Sequence, residues 1–109
     1  TAIGPTISRY GTEIEAIARI IEEERSLASP LGDGRSTLAD AIYAVRHEAA
    51  TNVTDVTLRR THLAWFTADH ARGDAPRVAA VMAGELGWDA GRIERELAEH
   101  DRELVAEGL

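Results

Sequence analysis

Apolar residues recur at three- and four-residue steps in five separate stretches of this chain, and no stretch between them alternates strictly between apolar and polar. A three-to-four step lines one face of an α-helix, whereas a half-buried strand needs a step of two. The pattern therefore predicts an all-α fold, a compact bundle of about five helices. Ile14, Ile17, Ala18 and Ile21 form the first stripe, and Leu38, Ala41, Ile42, Val45 and Ala49 the second. The third passes through Val56, Leu63 and Phe66, with a break allowed inside it. Val78, Val81, Met82 and Leu86 make the fourth, and Ile93, Leu97, His100 and Leu104 the fifth.

Capping chemistry sets the expected boundaries. Thr12 stands three residues before Glu15, the spacing at which each side chain satisfies the other's free backbone N–H, so the first helix is expected to start there, after a lead containing Pro5. Pro30, Gly32 and Gly34 mark a loop, after which Ser36 or Thr37 caps a helix ending near Asn52. Thr54 is the cap candidate of the third helix, and Asp89 that of the fifth. Gly73-Asp74-Ala75-Pro76 opens the fourth, because a proline in the first helical turn forfeits no hydrogen bond, and Gly87 closes it.

With 109 residues, the chain is read as a single helical domain over 1–109. It has no cysteine, which excludes disulfides and thiolate chemistry. Its net charge is −7 and all 12 basic residues are Arg, with no cluster among them, so no nucleic-acid partner is expected. Its apolar runs are far shorter than the roughly 18 to 20 residues that span a bilayer. Together with the lack of a leader-like opening segment, this reads as a soluble intracellular domain, and a start at Thr1 rather than Met suggests a piece of something longer.

Individual residues point to scaffolding rather than chemistry. His47-Glu48 resembles half of a zinc-binding pair on one helix face, but Thr51 occupies the place of the second histidine. His62, His70 and His100 fall singly, and His100, on an apolar stripe, is expected to be a hydrogen-bonded packing residue. Gly32-Asp33-Gly34 lacks the third glycine and the preceding strand of a dinucleotide fingerprint, and is read as a turn. Arg59 and Arg60 are neighbours whose directions on a helix diverge by about 100°. Arg59 should pair with Asp55 four residues earlier, and Arg60 should reach another segment. Tyr43, Arg46 and Glu48 are expected to bond between helices. No catalytic, cofactor-binding or metal residue is assigned.

Tyr43-Ala44-Val45-Arg46-His47-Glu48, Asp55-Val56-Thr57-Leu58-Arg59-Arg60-Thr61, Pro76-Arg77-Val78 leading to Met82, and Glu85-Leu86-Gly87-Trp88-Asp89 form an ordered series. With Ser8-Arg9-Tyr10-Gly11 as a lead, the series resembles the C-terminal helical domain of FAD-dependent glycerol-3-phosphate dehydrogenases and the related alpha-glycerophosphate oxidases, over roughly residues 8–104. Two positions depart from that pattern: Thr57 replaces a usual aliphatic residue, and His62 a frequent Arg. The resemblance implies a non-catalytic accessory domain. Its parent flavoenzyme would oxidise glycerol 3-phosphate to dihydroxyacetone phosphate through FAD, with electrons passing to a quinone or, in oxidase relatives, to oxygen. FAD would belong to the parent and not to this fragment, and the partner implied is the flavin domain of the same chain. The parent is expected in the cytoplasm or peripherally on the inner face of the cell membrane, so any membrane association comes only through the parent. The alternative is a free-standing helical protein-interaction module.

Within that frame Tyr43, Arg46, Glu48, Asp55, Arg59, Arg60, Thr61, Trp65 and Phe66 are structural or interdomain candidates. Leu63, Ala64, Trp65 and Phe66 are consecutive and would point in nearly every direction around a helix, more than one small core can cover. An exposed apolar patch at Trp65 and Phe66 is expected, covered by the flavin domain in the parent and able to drive weak self-association of the isolated domain.

Overall fold

Among the described residues five α-helices form the fold: α1 (Pro5–Glu23), α2 (Leu38–His47), α3 (Leu63–Phe66), α4 (Ala75–Leu86) and α5 (Ala90–Ala106). The computed structural model describes residues 5–109, with side chains from Glu13 onward. A 3-10 turn at Arg25–Ala28 and a π-helical segment at Asp55–Arg60 complete the elements, and the described residues form no strand.

The helix α2 lies between α1 and α4, and α5 packs on the other side of α4. This stacking works because the facing positions are small: Ala39, Ala41 and Ala44 on α2 and Ala75 and Ala79 on α4 are buried, so the backbones approach closely. Larger side chains, chiefly Leu63, Val78, Met82 and Leu104, fill the main core. A second cluster of Ile20, Leu27, Ala39 and Ile42 seals α1 and the 3-10 turn onto α2.

Four boundaries differ from the sequence expectation, each for a local reason. α1 begins at Pro5 rather than at Thr12 and passes through Gly11. Proline is suited to a first turn, and one glycine costs only about 1 kcal/mol inside a helix; the Thr12 side chain lies outside the described residues. α2 stops at His47 rather than near Asn52. Ala49 there adopts φ +59°, and the Ala50 N–H turns back to the Ala44 carbonyl at 3.1 Å, which sends Ala50 and Val53 into the core.

The third expected helix is split. Val53, Thr54, Val56, Thr57 and Leu58 are all buried, a larger share of the circumference than one helical face provides, and the backbone widens into a π turn. That turn closes where the Thr61 N–H and hydroxyl both donate to the Val56 carbonyl, at 2.9 and 2.8 Å. His62 follows at φ +62° and restarts the chain as α3. Thr54 does not cap this segment. Asn52 Oδ1 accepts the Asp55 N–H at 2.8 Å, and the Thr54 hydroxyl instead donates to Glu103 of α5 at 3.0 Å.

Other expected caps are present. Asp89 Oδ1 accepts the Arg92 N–H at 2.8 Å to start α5, and Gly87, at φ +75°, ends α4. At Thr37 the cap is completed from the other side, its N–H donating to Asp40 at 2.8 Å. The Gly32-Asp33-Gly34 stretch is a turn: Asp33 Oδ1 accepts the Arg35 and Ser36 N–H groups at 3.0 and 2.8 Å. Burial works against the Asp33 charge, but these donors and the Ser36 hydroxyl outweigh it and hold the carboxyl below its usual range. Arg77 clamps the loop to α4, donating to the Ser29 hydroxyl and to the Pro30 carbonyl. Asp74 accepts the Gly32 N–H at 2.7 Å.

Candidate functional site

Arg60, at the end of the π-helical segment, is the arginine with the most acid partners among the described residues. Its guanidinium meets Glu13 of α1 at 3.2 Å, Asp40 of α2 at 3.3 Å and Glu48 just past α2 at 2.9 Å, with only 15% of the side chain exposed. The Tyr43 ring lies under it, 4.9 Å from centroid to guanidinium carbon. Burial alone would lower the Arg60 pKa, but the hydrogen bond to Glu13 and the charges of Glu48, Glu13 and Asp40 raise it, so the cation is permanent. One guanidinium thereby joins three parts of the chain far apart in sequence.

Its neighbour Arg59 pairs with Asp55 at 3.0 Å, while Arg60 reaches Glu13, Asp40 and Glu48. Both arginines border one further cleft of about 340 Å³ together with Asp55 and Glu48, so each already has its acid there. Asp55 also accepts the Thr51 N–H at 3.0 Å, so it organises the turn as well as the ion pair. Arg46 makes the interhelical contact expected of it, a forked pair with Glu85 of α4 at 2.8 and 3.2 Å. The hydrogen bond from Arg46 holds the Glu85 carboxyl below its usual range. Tyr43 contributes through its ring, against Arg60 and against His47 at 4.7 Å. Thr61 is buried and closes the π turn.

His100 is 1% exposed, and its Nε2 shares a 2.9 Å hydrogen bond with the Thr57 hydroxyl. The polar Thr57 thus has its partner in the polar His100 across the core. Burial pushes the His100 pKa down, with a smaller raising effect from Asp101 and a lowering one from Arg72. His47, His62 and His70 lie apart from it, and no group of metal-ligating side chains occurs among the described residues.

Beside Arg60 opens a cleft of about 580 Å³ whose walls include Glu13, Arg35, Asp40, His62 and Phe66. Trp65 and Phe66 are 48% and 75% exposed, while Leu63 and Ala64 of the same short helix are fully buried. The four consecutive residues are thus divided between core and surface, Leu63 and Ala64 inward and Trp65 and Phe66 outward, with Asp33, Asp69 and Asp74 in the clefts beside Phe66.

Sequence reasoning found Arg60, Arg46 and Tyr43 but not Glu13, Asp40 or Glu85, the acids that fix them. These partners lie 20 to 47 residues away in an acidic chain, and nothing in their local spacing distinguishes them from the other carboxylates. In the Gly32-Asp33-Gly34 turn the N–H groups of Gly32, Arg35 and Ser36 are taken up by Asp74 and Asp33, so these donors serve the turn itself.

Residues 4–93 match a family described as the C-terminal domain of alpha-glycerophosphate oxidase. The chain is 32% identical over 104 residues to glycerol-3-phosphate dehydrogenase 2 of Mycobacterium tuberculosis, covering 94% of this chain and 18% of that protein. It is 34% identical over 89 residues to a mitochondrial glycerol-3-phosphate dehydrogenase of Arabidopsis thaliana, covering 81% of this chain and 14% of that one. A mitochondrial glycerol-3-phosphate dehydrogenase of Bos taurus is 37% identical over 59 residues. The chain thus spans less than a fifth of the length of these relatives. No solved structure matches it.

Proposed function

The chain belongs to the family of C-terminal domains of alpha-glycerophosphate oxidase, and from that premise we propose that it serves as the non-catalytic accessory domain of an FAD-dependent glycerol-3-phosphate dehydrogenase. The parent enzyme would oxidise the C2 hydroxyl of glycerol 3-phosphate to dihydroxyacetone phosphate and pass the electrons to a quinone. FAD, substrate and reaction belong to the part of the parent that precedes this domain, and the domain's partner is that flavin-binding part of the same chain. Any membrane association is that of the parent on the inner face of the cell membrane; no described helix is long and apolar enough to cross a bilayer.

The observation that carries this reading is how the polar residues singled out in the sequence are used. Arg46, Glu48, Asp55, Arg59, Arg60 and Thr61 are each engaged within the domain, as in a scaffold, and Tyr43 packs its ring beneath Arg60. An active site instead keeps a titratable group free to meet a substrate, whereas the shifted groups here, Arg60 with its three acids and Arg46 with Glu85, are already paired with one another. Trp65 and Phe66 differ in being directed outward.

The test uses the full-length parent and the 109-residue chain side by side. The parent should purify yellow and reduce a dye in the presence of glycerol 3-phosphate, and the isolated chain should do neither. Flavin retention or dye reduction by the isolated chain would overturn the accessory role. A parent that neither binds flavin nor oxidises glycerol 3-phosphate would favour the free-standing interaction module.

A further inference from the structure

We infer that the Leu63–Phe66 turn is a preformed interdomain contact, with Phe66 as its apolar anchor and Arg35 as its charged one, and that its occupant is the preceding part of the parent chain. This deepens the accessory-domain reading and rests on it.

Three observations converge. The first is that the exposure of Trp65 and Phe66 is built rather than accidental. Leu63 and Ala64 pin the turn into the core at 0% exposure. The Thr67 hydroxyl donates to the Leu63 carbonyl at 2.7 Å and accepts the Ala71 N–H at 2.7 Å, and His70 Nδ1 bonds to the Ala64 carbonyl at 2.8 Å. Three non-glycine residues at positive φ, His62, His70 and Ala71, bracket this one turn. Backbone strain of that kind persists only where the surroundings hold it in place. The chain therefore keeps a strained, anchored turn whose outward product is a phenylalanine 75% in solvent.

The second is position. Glu13 of α1 and Phe66 line the same cleft, while Glu23, at the other end of α1, lies near Arg46. The N-terminal half of α1 is thus at the Phe66 end of the molecule. In a relative such as the M. tuberculosis protein, of which this chain covers 18%, about four fifths of the polypeptide lies outside the match. The matching family is a C-terminal domain, so in such a relative the remainder precedes the stretch that matches, on the side of the N-terminal half of α1.

The third is charge. Arg35 lines the same cleft, is exposed, and makes no ion pair with any described residue. Arg60 beside it is already surrounded by three acids. The fitting surface is one that offers an apolar recess to Phe66 and a carboxylate to Arg35. A bilayer with anionic lipids fits poorly, because its headgroups would meet Asp33, Asp69 and Asp74 on both sides of Phe66 at once, whereas a folded partner can set a single carboxylate against Arg35 and keep the rest of its face neutral.

The test is limited proteolysis of the full-length parent, following release of the C-terminal domain. Phe66→Asp and Arg35→Glu should each raise the release rate at least tenfold. Val105→Asp, which alters an equally prominent apolar side chain on α5 (68% exposed), should not. Melting of the released fragment checks that each variant domain is folded. Unchanged release in both variants, or the same rise with Val105→Asp, would overturn the inference. So would protection of this turn from hydrogen exchange that requires dimer-forming concentrations or added phosphatidylglycerol vesicles. Dye reduction with glycerol 3-phosphate is measured on the unaltered parent, so failure of the enzymatic reading is seen separately from failure of the contact.

Discussion

A single buried histidine ties the stability of this domain to pH. His100 is bonded to Thr57 in the core, and burial holds its pKa below the ordinary 6.5. As pH falls, the unfolded chain takes up this proton first, because its histidine titrates near 6.5 while the folded one resists. The stabilising contribution is therefore complete above that pH and is lost as pH drops from 6.5 toward the lower folded value. Denaturant melts between pH 7.5 and 5.5 should show the midpoint falling with acidification, and His100→Gln should flatten that slope while lowering stability throughout. An unchanged slope in the variant would place the pH dependence elsewhere. Arg60 lies at the opposite extreme, a cation that no accessible pH neutralises, itself half-buried among three carboxylates of which Asp40 is the least exposed.

Among the elements, the helix ends carry most of what departs from simple periodicity. α2 terminates at His47 because Ala49 adopts a left-handed conformation, φ +59°, that glycine reaches without steric cost. Ala49 is exposed, so its methyl contributes little packing to offset that strain. Ala49→Gly should accordingly leave stability unchanged or raise it by up to about 1 kcal/mol, the reverse of the usual effect of introducing glycine. A thermal melt of the variant against the unaltered domain decides the sign. The π-helical segment follows the same logic at larger scale: Val53 to Leu58 bury more of their circumference than an α-helix allows, and the widened turn accommodates them by closing on Val56 and Thr61.

At the scale of the whole molecule, the Leu63–Phe66 turn divides its residues between two uses. Leu63 is at 0% exposure and Phe66 at 75%. Leu63→Ala should cost about 2 to 5 kcal/mol through the cavity it leaves. Phe66→Ser should change the isolated domain's stability by less than about 0.5 kcal/mol, while reducing any concentration-dependent association seen by sedimentation. Equal losses for the two would mean that Phe66 is packed in solution. The helices of the first, second, fourth and fifth stripes, the caps at Thr37, Asp89 and Gly87, the turn at Gly32-Asp33-Gly34 and the Asp55–Arg59 pair were legible in the sequence, because each depends on residues within about four positions of one another, where helix and turn geometry alone sets the distance. The split of the third helix was not, since it follows from how many neighbours the fold brings around Val53–Leu58. Glu48 was singled out, but that it meets Arg60 together with Glu13 and Asp40, that Glu85 is the partner of Arg46 and that Thr57 pairs with His100 were likewise not legible. Local spacing cannot select one carboxylate among 19 acidic residues, and only the packing of α2 between α1 and α4 chose which of them meet the arginines.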